Sequence, residues 1–369
     1  MNLRSTQFKW IYSIKVFLLL TITSYGFAQK LPVVTNFSQI EFKLQTFAPG
    51  LPVAEKYGHI QIRVKSSKPF FDRVVSWGMY DFRDPNFLKN FLKGHTYYRI
   101  ASFSTKRSVR HYERLNRTYW EHDIHLDLDQ KKSLYTEIQR QLSKPNNVYL
   151  YNFFFDNCST RIRDLFDMLS DGKLKTYAKN IDLGQSYRDT VRFHQSTTWM
   201  TGLGLSVWAS HVMDAPLTGW EEMYLPNTVM KYAVNIPNGD RPLLTNERSF
   251  GNGDIPSGWP WWDEIGLLFL FVLPFLIFLM LNLKKPLRCL KTAKFWLSIW
   301  WLLTGFISTI MLAGWVYSDL VITHHSANLW ILWPLDFFLV FLIWWIPKRK
   351  RLTRILRFYA YLHLSLIHI

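Results

Sequence analysis

Residues 265–283, 295–317 and 329–346 are apolar runs, each long enough or nearly so to cross a bilayer as a helix. In hydrocarbon the backbone must satisfy its own N–H and C=O groups, which restricts such runs to helices. Pro274 and Pro334 fall inside two of them, and membrane helices tolerate that. The segment 284–294 carries five Lys or Arg, and six more follow between Lys348 and Arg357. The loop 318–328 carries none. Basic loops stay cytoplasmic, so the large N-terminal region is expected outside the cytoplasm.

The N-terminus agrees independently. Arg4, Lys9 and Lys15 precede a short apolar core, and Gly26 and Ala28 stand at the spacing of a signal-peptidase site. Residues 1–28 read as a signal peptide, with an uncleaved anchor as the alternative. Residues 29–234 form an exported domain, 235–262 a Gly- and Pro-rich linker, and 263–369 a transmembrane domain. The closing "LSLIHI" follows the start of a fourth apolar segment, and we read it as sequencing-adapter read-through on a truncated chain.

This layout accounts for the formal charge of +17. Much of it lies in the cytoplasmic segments. Residues 29–262 hold 30 basic and 23 acidic side chains, a net +7. That balance suits a domain beside anionic lipid, or equally a solvated surface with no partner, better than a nucleic-acid binder.

The chain has two cysteines. Cys289 sits in a cytoplasmic segment and Cys158 in the exported domain, so they cannot pair. An unpaired thiol in an oxidising compartment is either a buried small hydrophobe or a reactive group. Its surroundings are "YNFFFDNCSTRIRDLF". An aromatic, strand-like stretch leads to Asp156 or Asn157 as a helix cap. Ile162, Leu165, Phe166 and Leu169 then give the stripe of a helix packed on a core. Cys158 thus opens a helix, where unpaired N–H groups and the dipole favour a thiolate and can hold an oxyanion.

A base is also needed. "GHIQIRV" alternates with Ile60, Ile62 and Val64 on one face and His59, Gln61 and Arg63 on the other. His59 is the best candidate among eleven histidines. His122 and His125 in "EHDIH" read as a polar turn, and His95 as part of another. His324 and His325 lie in the exported loop between membrane spans, where a metal site is the minor alternative. Further strands are expected at 41–47, 73–82 and 97–103, and helices at 85–92 and over "LDLDQKKSLYTEIQRQLSK".

In order, "FAPG", "YGHIQIRV", "WGMYDFRDPNFLKNFLKG" and "YNFFFDNCSTRIRDLF" resemble the periplasmic domain of the Bacteroidetes-type lipoprotein N-acyltransferase family, called Lnb. The later "LGLSVWASHVMDAP", "MYLPNTVMKYA", "RPLL" and "HHSANLWILWPL" are similar too, so the resemblance covers nearly the whole chain. The order histidine then cysteine also resembles the circularly permuted branch of papain-like enzymes, which includes NlpC-type and lecithin:retinol acyltransferase-like proteins. The resemblance implies an α+β, permuted papain-like periplasmic domain followed by a helical transmembrane bundle in the inner membrane.

What it implies chemically is acyl transfer. Cys158 would take an acyl chain from a phospholipid as a thioester and pass it to the α-amino group of a diacylglyceryl-cysteine lipoprotein. His59 would be base and acid. Asp81 matches an acidic position in the family and would orient the imidazole. Asn157, Ser159, Arg161 and Asp164 would support the site, with Arg161 and Asp164 as a pair. The resemblance implies no cofactor and no metal. The residues by themselves equally admit a membrane-tethered cysteine phospholipase, a cell-wall peptidase or a non-catalytic receptor.

Overall fold

A computed structural model describes residues 30–50, 55–80, 85–195, 199–253, 287–330 and 332–345, with a few more between 350 and 359. Chain order runs β1 (Ile40–Phe47), β2 (His59–Ser67), β3 (Phe70–Met79), α1 (Phe87–Lys93), β4 (Tyr97–Ser104), α2 (Thr105–Arg114), β5 (Tyr119–Ile124), α3 (Leu128–Leu142), β6 (Val148–Leu150) and α4 (Cys158–Leu169). Then come α5 (Lys173–Lys179), β7 (Asp182–Ser186), α6 (Tyr187–Gln195), α7 (Trp199–Trp208), β8 (Pro216–Thr218), α8 (Gly219–Glu222) and α9 (Pro226–Ala233). The chain continues through β9 (Pro237–Asn238), β10 (Arg241–Pro242), β11 (Leu244–Phe250), α10 (Leu287–Tyr317) and α11 (Asp336–Trp345).

Seven strands make one antiparallel sheet in the order β11-β5-β1-β2-β3-β4-β6. The alternation of β2 decides its two faces. Ile60, Ile62 and Val64 are fully buried in a core shared with Ile162, Leu165 and Phe166 of α4 and Leu134 and Ile138 of α3. Each such side chain removed from water contributes about 1.5–3 kcal/mol. The opposite face is also covered, and its contents are polar. Gln61 Nε2 donates to Gln45 Oε1 at 2.7 Å and to Ser108 Oγ at 2.9 Å. Arg63 donates to both carboxylate oxygens of Asp72 and to Glu121. Thr105 closes on Asp72 from α2. Partners for buried polar groups are what make this layer tolerable.

That face explains why the sequence hides α2. Its buried residues are Thr105 and Ser108, both polar, so it lacks the apolar stripe that marks a helix on an apolar core. Two other expectations need correction. "EHDIH" is no polar turn: its first four residues lie in β5, and His122 is 2% exposed and pairs with Glu247 of β11. Nor is 235–262 all linker. β11 pairs with β5 and edges the main sheet, so this domain runs at least to Phe250. Its side chains are mostly exposed, as on an edge strand, which removes the alternation a reader looks for.

In the C-terminal part, α10 spans Leu287–Tyr317, and its stretch Lys294–Tyr317 is long and apolar enough to cross a membrane. It is the one such helix among the described residues. The run 265–283 lies outside them. The run 329–346 forms no single span: a 3-10 turn at Ala327–Trp330 precedes α11, whose ten residues begin after Pro334. Proline removes an N–H and disfavours helix in the residue before it, which sets that break.

The N-terminal domain packs on the end of this span. Asp319 N–H donates to Lys93 O at 2.9 Å, His95 pairs with Asp319, and Asn328 Nδ2 donates to Val207 O at 2.7 Å. Val207 of α7 shares a buried cluster with Met311 and Leu332. The residues that follow α10 therefore lie on the domain's side of any membrane it crosses.

Candidate active site

The site is built where β2 and β3 part. Their ladder reaches Gln61–Ser76 and goes no further. Beyond it β3 bulges against β4, with Gly78 at φ +85°, a conformation glycine adopts without strain. The N-terminus of α4 fills the notch. An alanine Cβ at Gly78 would stand 4.0 Å from Cys158 Cβ, 4.0 Å from the Tyr149 hydroxyl and 3.9 Å from the Tyr98 ring.

Asn157 fixes that N-terminus. Its Oδ1 accepts from Ser159 N (2.8 Å) and Thr160 N (2.9 Å), while Thr160 Oγ1 accepts from Asn157 N at 2.8 Å, a complete capping box. Its Nδ2 donates to Phe153 O and Tyr224 O, tying the helix start to both flanking segments. Cys158 is the first helical residue. The backbone N–H groups of Ile60, Ser159 and Cys158 itself lie near enough to Sγ to favour its thiolate, and Ser159 Oγ lies 3.9 Å away.

Burial pushes the Cys158 thiol above its ordinary pKa, and the Ser159 hydroxyl and these N–H groups only partly oppose the shift. The helix terminus alone suggests a depressed value; desolvation outweighs it. Burial also lowers the His59 imidazole to about 3, helped by the positive charges of Arg117 and His111. The pair therefore rests as neutral thiol and neutral imidazole, not as an ion pair.

His59 opens β2, one residue before Ile60, whose backbone N–H lies near Sγ. Its Nε2 is bonded to Ser76 Oγ at 2.8 Å, and its ring lies in a near-parallel series with Phe47 and Tyr112. Ser76 is thus the residue that holds the imidazole, and sequence reading missed it because a serine in a strand carries no signal of its own. Asp81, expected in that role, lies outside the described residues.

The supporting residues are arranged differently from expectation. Arg161 forks onto Asp156, with Nε–Oδ1 at 2.5 Å and Nη2–Oδ2 at 2.7 Å, and its guanidinium lies 4.3 Å over the Tyr149 ring. Asp164 is exposed and pairs with Arg163 instead. The helix turns Arg161 back toward the chain that enters it, so the partner five residues earlier wins over the one three residues later. Around the thiol stand Tyr98, Tyr149 and Tyr151, with Tyr98 and Tyr151 stacked at 4.0 Å. Among the described residues no group of three His, Cys, Asp or Glu side chains is placed to hold a metal.

The comparisons agree with the motifs from which the site is made. Residues 35–195, which include both His59 and Cys158, match the family described as the Lnb N-terminal periplasmic domain. No curated protein and no solved structure matches the chain. Residues 35–195 therefore belong to the family described as the Lnb N-terminal periplasmic domain.

Proposed function

We propose that this protein is a lipoprotein N-acyltransferase working through a Cys158 thioester. The observation that carries the reading is Cys158 at the first turn of α4, in a half-buried notch beside Tyr98 and Tyr149, with the Ile60 that follows His59 on β2 near its sulfur. In the first half-reaction the imidazole takes the thiol proton and Sγ attacks the carbonyl carbon of a phospholipid ester. The lysophospholipid leaves as an alkoxide that takes the proton back from His59. In the second half the α-amine of a diacylated lipoprotein attacks the thioester, His59 takes the amine's proton, and the thiol is regenerated. With Nε2 engaged by Ser76, Nδ1 is the ring atom left for this exchange.

The order of histidine on a strand and cysteine at a helix start is that of permuted papain-like enzymes, and the reading adopts their chemistry. A neutral resting pair suits it, because a half-buried thiol is activated when substrate fills the notch and excludes water. Packing of the domain on the end of α10 suits substrates that both reside in a membrane, and the reading places the protein in the inner membrane as a multi-pass protein. The test is mass spectrometry of the N-terminal peptide of a lipoprotein co-expressed with the protein. It should gain an amide-linked acyl chain with the wild type and none with Cys158→Ala. An unacylated peptide with the wild type contradicts the proposal.

A further inference from the structure

Tyr149 is 7% exposed, and its buried hydroxyl has no hydrogen-bond partner among the described residues. A buried donor left unpaired costs about 1–3 kcal/mol, so a fold keeps one at a site only where something offsets that cost. The hydroxyl stands 4.0 Å from the point above Gly78 that also stands 4.0 Å from Cys158 Cβ. Glycine leaves that point vacant. Tyr98 closes its far side at 3.9 Å.

The ring is held in place. β6 pairs Tyr149 with Tyr98, and Arg161 lies over its face with both arms of its fork on Asp156. A guanidinium over the ring draws electron density from it and makes the O–H a better hydrogen-bond donor. Burial nevertheless keeps the phenol protonated, its pKa raised above the ordinary value. A neutral phenol, pre-oriented and unpaired, is what an oxyanion requires.

We propose that Tyr149 is a catalytic residue whose hydroxyl donates to the oxyanion formed when Cys158 Sγ adds to an acyl carbonyl. As the S–C bond forms, the C=O π pair moves onto oxygen, and the Tyr149 O–H stabilises that charge without transferring its proton. On collapse the pair returns, the C–O bond of the ester breaks, and the leaving alkoxide is protonated by His59. Arg161 is a positioning residue, acting through the Tyr149 ring. The proposal rests on Cys158 being acylated, but not on which lipid or amine takes part.

The test compares two reagents at one thiol in the full-length protein, read by intact mass. Iodoacetamide alkylates Sγ without forming an oxyanion; p-nitrophenyl octanoate acylates it through one. Tyr149→Phe removes only the unpaired oxygen and should keep or raise the melting temperature while keeping the alkylation rate. Its acylation rate should fall ~100-fold, as when one oxyanion donor is deleted elsewhere. Arg161→Lys, which keeps charge but not the fork, should give a smaller loss in the same assay. Equal acylation by Tyr149→Phe and wild type overturns the proposal. So does a parallel fall in both rates, which marks a packing role, and so does a wild type that is alkylated but never acylated. Acylation by the activated ester but not by phospholipid leaves Tyr149 standing and removes the transferase reading.

Discussion

Cys158 and His59 are each shifted toward the neutral form by burial, and both shifts have measurable signs. Alkylation of Cys158 against pH should inflect above the ordinary thiol range of about 8.5, because burial raises it. An inflection well below that value would mean a thiolate at rest. For His59 the folded value of about 3 lies below the usual 6.5. Between those values the unfolded chain binds a proton that the folded protein does not. Stability is therefore fully present above 6.5 and is lost as pH falls toward 3. His59→Gln should lose less melting temperature than wild type between pH 7 and about 4.5. His111, His122 and His194 have lowered values too, so the slope should flatten rather than vanish. An unchanged slope would show that His59 is not buried as described.

Among the elements, α4 was legible in the sequence and α2 was not, and the reason is the layer each one covers. α4 packs on an apolar face, so Ile162, Leu165, Phe166 and Leu169 write its period into the chain. α2 covers Gln61, Arg63 and Asp72, so its inward residues are as polar as its outward ones. The cap of α4 gives a graded test. Asn157→Ala loses the cap, worth about 1 kcal/mol, and two Nδ2 bonds worth about 1 kcal/mol each. Asn157→Asp keeps an acceptor for Ser159 and Thr160 but not the donors to Phe153 and Tyr224. Denaturant unfolding should rank wild type, Asp and Ala in falling stability; equal stabilities would mean that the cap does not hold the helix start. β11 gives a second test. Ending the chain after Leu243 exposes the β5 edge and should yield aggregated protein, whereas a soluble, folded product would show that this strand is dispensable.

For the whole molecule, export and a membrane-crossing helix could be read from charge and apolar length, since both are properties of composition. The placement of Cys158 at a helix start could be read from its local pattern. The Ser76 contact, the Gly78 notch and the Tyr149 hydroxyl could not, because each depends on strand register across the sheet. The loop after α10 touches the N-terminal domain through Asp319, so a reporter fused in residues 318–328 should behave as periplasmic and one after Lys291 as cytoplasmic. The reverse labelling contradicts this arrangement.

Transferase and hydrolase share one dyad and differ in what reaches the thioester. In the proposed reaction, water shut out of the aromatic notch would leave an acyl-enzyme to await an amine. Intact mass of the full-length protein, incubated with phospholipid alone, should show an acyl group on Cys158 with slow release of fatty acid. A diacylated lipopeptide with a free α-amine should then discharge it into an N-acylated product, and one with a blocked amine should not. Rapid fatty-acid release without lipopeptide, indifferent to the amine, would identify a phospholipase and contradict N-acyl transfer.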